Sequence, residues 1–205
     1  MPVEFRLYLI TDRTLVPDLP AAVARALEGI PPGAAAVQLR EKDLTTRALY
    51  ELALALRPIC RARRTPLLVN DRIDVALAAG LEGVHLGGGS VDVADARRLL
   101  GDRLVGVSSH SEEQLAGWAG ADFSTFGPAF FTPSKARYGA PVGLAALNVA
   151  ARAGVPLFAL GGVDVTRAPE TIRAGARGVA AIRAWLAAPD PAEATAALYE
   201  AVAGA

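Results

Sequence analysis

The stretch PLLVNDRIDVALAAGLEGVHLGGG, residues 66–89, carries one complete unit of the fold. Residues 66–69 form a short apolar run that reads as a buried strand, and Asn70-Asp71 follows as a polar turn. A helical pattern comes next, starting near Arg72, and residues 83–86 form a second apolar run that ends on three glycines. A strand, a helix and another strand in this order is how two parallel neighbours in a sheet are joined. Working outward in both directions, the same alternation recurs, with strands expected at 6–10, 35–39, 104–107, 123–126, 156–160 and 178–182. The intervening segments are amphipathic. In TTRALYELALALRP, residues 45–58, Thr45 or Thr46 caps the start and Pro58 limits or kinks the end. Eight strand-helix units predict a closed (β/α)8 TIM barrel, α/β in class, spanning residues 1–205 as a single domain. An open doubly wound sheet is the alternative, and the count of eight decides against it.

Composition limits the partners. The chain has 205 residues, 52% of them hydrophobic, enough for a packed core without staples. Its 21 basic and 21 acidic residues cancel, so nucleic acid and anionic membrane are not expected partners. One cysteine, Cys60, excludes an intramolecular disulfide, and MPVEFRLYLITDR lacks the pattern of a secretory signal, so the cytoplasm is the expected compartment. Composition admits a homo-oligomer as readily as a monomer. The basic cluster Arg57, Arg61, Arg63 and Arg64 reads as a solvated helix end. Of the 21 cations only Lys42 and Lys135 are lysine, which marks these two positions for a compact ammonium.

A barrel assembles its active site from the loops at the carboxyl ends of its strands. Those positions here are Thr11, Asp12 and Arg13; Arg40, Glu41 and Lys42; Asn70 and Asp71; Gly87 to Ser90; Ser108 and His110; GPAFFTPSKARYG, residues 127–139; Gly161 and Gly162; and Arg183. Both lysines are among them, so the rim collects cations in a neutral molecule, as binding of phosphorylated substrates requires. Gly161-Gly162 after strand seven, with Arg183 after strand eight, matches the usual barrel phosphate site. Asp71 either caps the next helix or offers a carboxylate to a hard cation. His85 lies inside a strand and reads as a buried group rather than a base. Two histidines and one cysteine are too few for a zinc site or for nucleophilic acyl transfer.

The motifs VQLREK (37–42), VNDRIDVALAAGLEGVHLG (69–87), GVSSH (106–110), ADFSTFGPAFFTPSK (121–135) and PLFALGGV (156–163) resemble the thiamine phosphate synthase family, in order and over most of the chain. The resemblance implies a transferase in which a hydroxymethylpyrimidine diphosphate loses pyrophosphate and the pyrimidinyl methylene cation is captured by the nitrogen of a thiazole phosphate. It implies a diphosphate cradle of Arg40, Lys42, Asn70, Ser108, Thr132, Ser134 and Lys135, all cations or hydrogen-bond donors. Gln38 is then a pyrimidine contact, Gly161 and Gly162 belong to the thiazole phosphate site, and Mg2+ is held by Asp71.

Two places depart from the family pattern, and a third separates the chain from the sister tautomerases. The second magnesium-binding aspartate, usually within Gly-Gln-x-Asp after strand four, is replaced by Gly87-Gly88-Gly89-Ser90, and a neutral hydroxyl is a poorer ligand. Asp92 and Asp95 are expected in the first turn of the next helix instead. The sister tautomerases carry a histidine after the glycine of the sixth loop, where this chain has Pro128, as synthases do. Arg183 stands where the family usually has serine. A synthase is the leading expectation, with a thiazole tautomerase-like protein or a non-catalytic binder of thiamine intermediates as alternatives.

Overall fold

A computed structural model describes residues 3–132 and 140–205, and the expected positions Ser134 and Lys135 lie outside the described residues. Eight parallel strands close into a barrel in sequence order: β1 (Leu7–Ile10), β2 (Ala35–Leu39), β3 (Leu67–Asn70), β4 (Gly83–Leu86), β5 (Leu104–Ser109), β6 (Phe123–Phe126), β7 (Leu157–Leu160) and β8 (Gly178–Ala181). Between and after them lie α1 (Leu19–Glu28), α2 (Thr46–Ala62), α3 (Ile73–Ala79), α4 (Val93–Leu100), α5 (Glu112–Ala116), α6 (Gly143–Ala150), α7 (Ala168–Arg173), α8 (Arg183–Leu186) and α9 (Pro191–Ala203). The sheet closes through pairing of Tyr8 with Ala180. No helix among the described residues is long and apolar enough to cross a membrane.

Strand periodicity divides the core in two. Outward positions such as Leu7, Leu9, Val37, Leu39, Val84 and Val107 pack with Val23, Leu56 and Leu198 of the surrounding helices. Inward positions form a separate barrel interior of Phe5, Tyr8, Leu68, Leu104, Phe123 and Phe158. Phe5 stacks on Phe158 at 5.0 Å between ring centroids, and Tyr8 meets Phe123 edge-on at 5.0 Å. Moving toward the carboxyl ends, the inward residues turn polar, with Gln38, His85 and Thr125 all buried and Asn70 and Ser108 half-buried. The alternation that fills the barrel floor with aromatic rings thus presents a ring of hydrogen-bonding groups one layer above.

Gly106 makes this layering possible. A Cβ there would meet the Phe123 ring at 2.4 Å and His85 Nδ1 at 2.8 Å. Gly106→Ala is therefore expected to destabilise the protein by about 1–3 kcal/mol through overpacking. Urea unfolding monitored by tryptophan fluorescence checks this, and an unchanged midpoint would refute the close approach.

Several local expectations differ from the structure. Thr45 does cap α2, accepting from Ala48 N at 3.3 Å, but the helix runs past Pro58 to Ala62. The arginines at its end are not merely solvated. Arg57 and Arg61 donate to the carbonyls of Ala79 and Gly80 at the end of α3, and Arg63 donates to the carbonyls of Leu27 in the last turn of α1 and Ile30 just beyond it. These guanidiniums satisfy helix-end carbonyls that lack intrahelical partners. Asp71 does not cap α3, whose flanking residue is Arg72 with no side-chain cap. Ser108 lies within β5 rather than after it.

Candidate active site

At the carboxyl end of the barrel, a cavity of about 430 Å³ opens among the strand termini. Its wall includes Gln38, Arg40 and Lys42 from β2 and the loop that follows, Asn70 from β3, His85 from β4, and Ser108 from β5. Gly161 and Pro128 contribute the opposite side. Asp71 sits beside Lys42 and Asn70 on an adjoining cavity of about 260 Å³. Thr132 is half-buried in the loop after β6. Arg183 is exposed at the first residue of α8, and the wall contains its neighbour Ile182 instead.

The two cations of the second loop are placed by the residue between them. Glu41 is 6% exposed, accepts from Thr11 Oγ1 at 2.5 Å, and takes the Arg13 amide on both oxygens at 3.1 Å. Thr11 Oγ1 in turn accepts the Arg40 amide at 2.9 Å. A buried carboxylate satisfied in this way fixes the backbone, while Arg40 and Lys42 on either side face the cavity.

Beneath the cations runs a chain of buried hydrogen bonds. Gln38 Nε2 donates to the Tyr8 hydroxyl at 3.0 Å, that hydroxyl lies 3.2 Å from His85 Nδ1, and His85 Nε2 lies 2.9 Å from Ser108 Oγ. Burial, assisted by the Arg40 charge, pushes the His85 imidazole down to about 3, so it is neutral at physiological pH. Burial likewise raises the Tyr8 phenol well above its ordinary value, so it keeps its proton. Sequence reading missed Tyr8, which sits in an all-apolar strand. His110 Nδ1 donates to the Gly127 carbonyl, and the His110 amide donates to Gln114 Oε1 at 2.8 Å, just ahead of α5.

The glycines divide by role. Gly87, Gly88 and Gly89 have open space at the position of an added Cβ, and none has positive φ. Their lack of side chains is not demanded by packing, and it leaves the mouth unobstructed. Gly161 and Gly162 have φ of 93° and 66°, and an added Cβ would meet Pro128 Cβ at 2.7 Å or the Phe131 carbonyl oxygen at 2.8 Å. They let the loop after β6 lie against the end of β7, where Ala129 N donates to Leu160 O at 2.8 Å and Phe130 N to Gly161 O at 2.9 Å.

For a hard cation the donor set is spare. Asp71 adopts φ 65°, a left-handed conformation costing a non-glycine residue roughly 1–2 kcal/mol that aspartate tolerates better than most. Its amide donates to His85 O at 2.9 Å, and its carboxylate makes no hydrogen bond to a described residue. Ser90 closes the glycine turn by accepting the Gly87 amide at 2.8 Å. Among the described residues no cluster of three histidine, cysteine, aspartate or glutamate side chains is present. Magnesium is commonly held by one or two carboxylates together with substrate phosphates, so the lone carboxylate of Asp71 beside Lys42 and Asn70 fits it.

A parallel barrel that gathers two cations and several donors at the carboxyl ends of its strands defines an enzyme of the phosphate-handling barrel class. The sequence matches the family described as "Thiamine monophosphate synthase" over residues 7–185, and the chain belongs to that family. A chain from Geobacter sulfurreducens is 51% identical over 197 residues, which cover 93% of this chain and 91% of its own. The protein called "Thiamine-phosphate synthase" from Chloroflexus aurantiacus is 43% identical over 193 residues, covering 92% and 88%. Among solved structures, the thiamine phosphate pyrophosphorylase from Pyrococcus furiosus superposes with a TM-score of 0.88 at 34% identity, covering 98% of this chain and 97% of that one.

Proposed function

We propose that the protein is a thiamine-phosphate synthase, a transferase that couples a hydroxymethylpyrimidine diphosphate to a hydroxyethylthiazole phosphate and releases pyrophosphate. The observation that carries the residue roles is the convergence of Arg40, Lys42, Asn70 and Ser108 on one cavity. When the carbon–oxygen bond of the diphosphate breaks, negative charge moves onto the departing oxygen. Preorganised cations and donors stabilise that charge more in the transition state than in the ground state. Arg40 and Lys42 supply the charge, and Asn70 and Ser108 supply hydrogen bonds. The family resemblance adds Thr132, Ser134 and Lys135 to this set. Gln38 contacts the pyrimidine.

The thiazole phosphate is held at Gly161 and Gly162, whose amides donate to no acceptor among the described residues. Holding both rings in one cavity places the thiazole nitrogen near the methylene carbon, so capture is effectively intramolecular. Mg2+ held by Asp71 adds positive charge beside the diphosphate when bound. Pro128, rather than an imidazole, follows Gly127 in the wall, which favours coupling over proton transfer on the thiazole. A lone buried cysteine and a neutral charge balance suit a cytoplasmic enzyme of small phosphorylated substrates.

Purified protein supplied with both precursors and Mg2+ is expected to form thiamine phosphate and pyrophosphate in equal amounts, read by chromatography and a coupled pyrophosphate assay. Binding of both precursors without product would refute the proposal.

A further inference from the structure

We infer that Tyr8 and His85 are positioning residues that give the cavity floor a fixed polarity: Gln38 offers an acceptor, its amide oxygen, and Ser108 offers a donor, its hydroxyl proton. The inference rests on the synthase reading and deepens it by assigning the donor and acceptor pattern that the pyrimidine diphosphate must match.

The reasoning follows single protons. Tyr8 has one hydroxyl proton and two polar neighbours, Gln38 Nε2 at 3.0 Å and His85 Nδ1 at 3.2 Å. Gln38 and Arg40 lie two residues apart and both face the cavity. The guanidinium favours the amide orientation that keeps the oxygen on the cation side and turns the nitrogen down to Tyr8. The Gln38 amide then donates to the phenol, and the phenol donates to Nδ1. A neutral imidazole accepting at Nδ1 carries its proton on Nε2, which donates to Ser108 Oγ at 2.9 Å. With Oγ occupied as an acceptor from below, the Ser108 proton turns into the cavity. Reversing the Ser108 link moves the imidazole proton to Nδ1, turns the Tyr8 proton toward Gln38 and requires the amide to present its oxygen there, because the phenol and the neutral imidazole each have one proton to give.

Three of the four members are shielded from bulk solvent, and only Ser108 is half-buried. Tyr8 is fully buried, His85 is 3% exposed and Gln38 is 1% exposed. Gly106 leaves the space in which His85 Nδ1 sits. The recognised ligand therefore brings a hydrogen-bond donor to Gln38 and an acceptor atom, such as a diphosphate oxygen, to Ser108.

Nitrogen-15 NMR of histidine-labelled protein tests the polarity directly, with His110→Gln used to assign the two imidazoles. The proton of His85 is expected on Nε2, and finding it on Nδ1 would overturn the inference. This measurement needs neither substrate nor turnover, so it stands apart from a failure of the synthase reading. In steady-state kinetics, Tyr8→Phe is expected to lower kcat/KM for the pyrimidine diphosphate by about tenfold, the worth of one hydrogen bond, with KM for the thiazole phosphate unchanged. His85→Gln, which keeps a donor toward Ser108, is expected to retain more of that kcat/KM than His85→Ala. Equal losses for both substrates, or equal losses in the two His85 variants, would overturn the positioning role.

Discussion

Lys42→Ala and Arg40→Ala are each expected to lower kcat by about 10²–10³-fold, the usual cost of removing one preorganised group that meets developing negative charge. Both side chains face the cavity, while Glu41 between them is anchored behind by Thr11 and Arg13. Truncating either cation leaves that anchor intact, so the backbone of the loop is expected to hold its course. The loss then belongs to charge and not to folding. The ground-state diphosphate is already anionic, so KM also rises, but the larger change falls on kcat because the bond-breaking step adds charge to the leaving oxygen. Arg40→Lys keeps the charge and loses the planar fork, and an intermediate loss is expected. Rates of pyrophosphate release at saturating thiazole phosphate check all three. A rise in KM with unchanged kcat would show that the pair only binds, and would remove it from the bond-breaking step.

The barrel was legible in the sequence because eight short apolar runs alternate with amphipathic ones, and strand ends fell within two residues of expectation. The half of the site that follows strand ends was legible for the same reason. Once 35–39 is a strand, the alternation of side chains directs Gln38 inward, whereas Asn70, expected in the turn after a strand at 66–69, is the last residue of β3. What stayed hidden depends on contacts between distant strands. Tyr8 sits inside LYLI, where nothing local separates a phenol that packs from one that also orders a hydrogen-bond chain with Gln38 and His85. Glu41 was one polar rim position among several, and only the close approach of the first loop makes it a buried anchor. Gly161 and Gly162 were read as room for a phosphate, and the structure adds a packing reason in Pro128 and Phe131. The arginines at the end of α2 show the opposite limit: a basic helix end was visible, but the carbonyls of α1 and α3 that it satisfies were not.

Asp71→Asn is expected to raise the Mg2+ concentration needed for half-maximal activity by more than the roughly 10- to 100-fold that loss of an outer hydrogen-bond partner costs a metal site. Asparagine has the same shape and tolerates the left-handed backbone that Asp71 adopts, so the turn after β3 is expected to survive the change. The second carboxylate that the family resemblance implies is absent at Ser90, and the other acids lining the two cavities are engaged: Asp12 accepts from Thr14, and Glu41 accepts from Thr11 and Arg13. Asp95 is paired with Arg98, and Asp92 precedes the first turn of α4. Ser90→Asp is expected to act in the other direction and raise turnover at limiting Mg2+. Its carboxylate can still accept the Gly87 amide that Ser90 now accepts, and the open space around Gly87, Gly88 and Gly89 leaves room for the charged group. The double variant, Asp71→Asn with Ser90→Asp, separates the two positions: partial recovery of Mg2+ affinity means that both carboxylates reach one ion. Titration of Mn2+ in the presence of pyrophosphate, followed by electron paramagnetic resonance, reads the affinity without turnover. If Asp71→Asn leaves both the Mg2+ dependence and the Mn2+ affinity unchanged, the ion is held by the diphosphate alone, and the left-handed turn at Asp71 serves the fold rather than the metal.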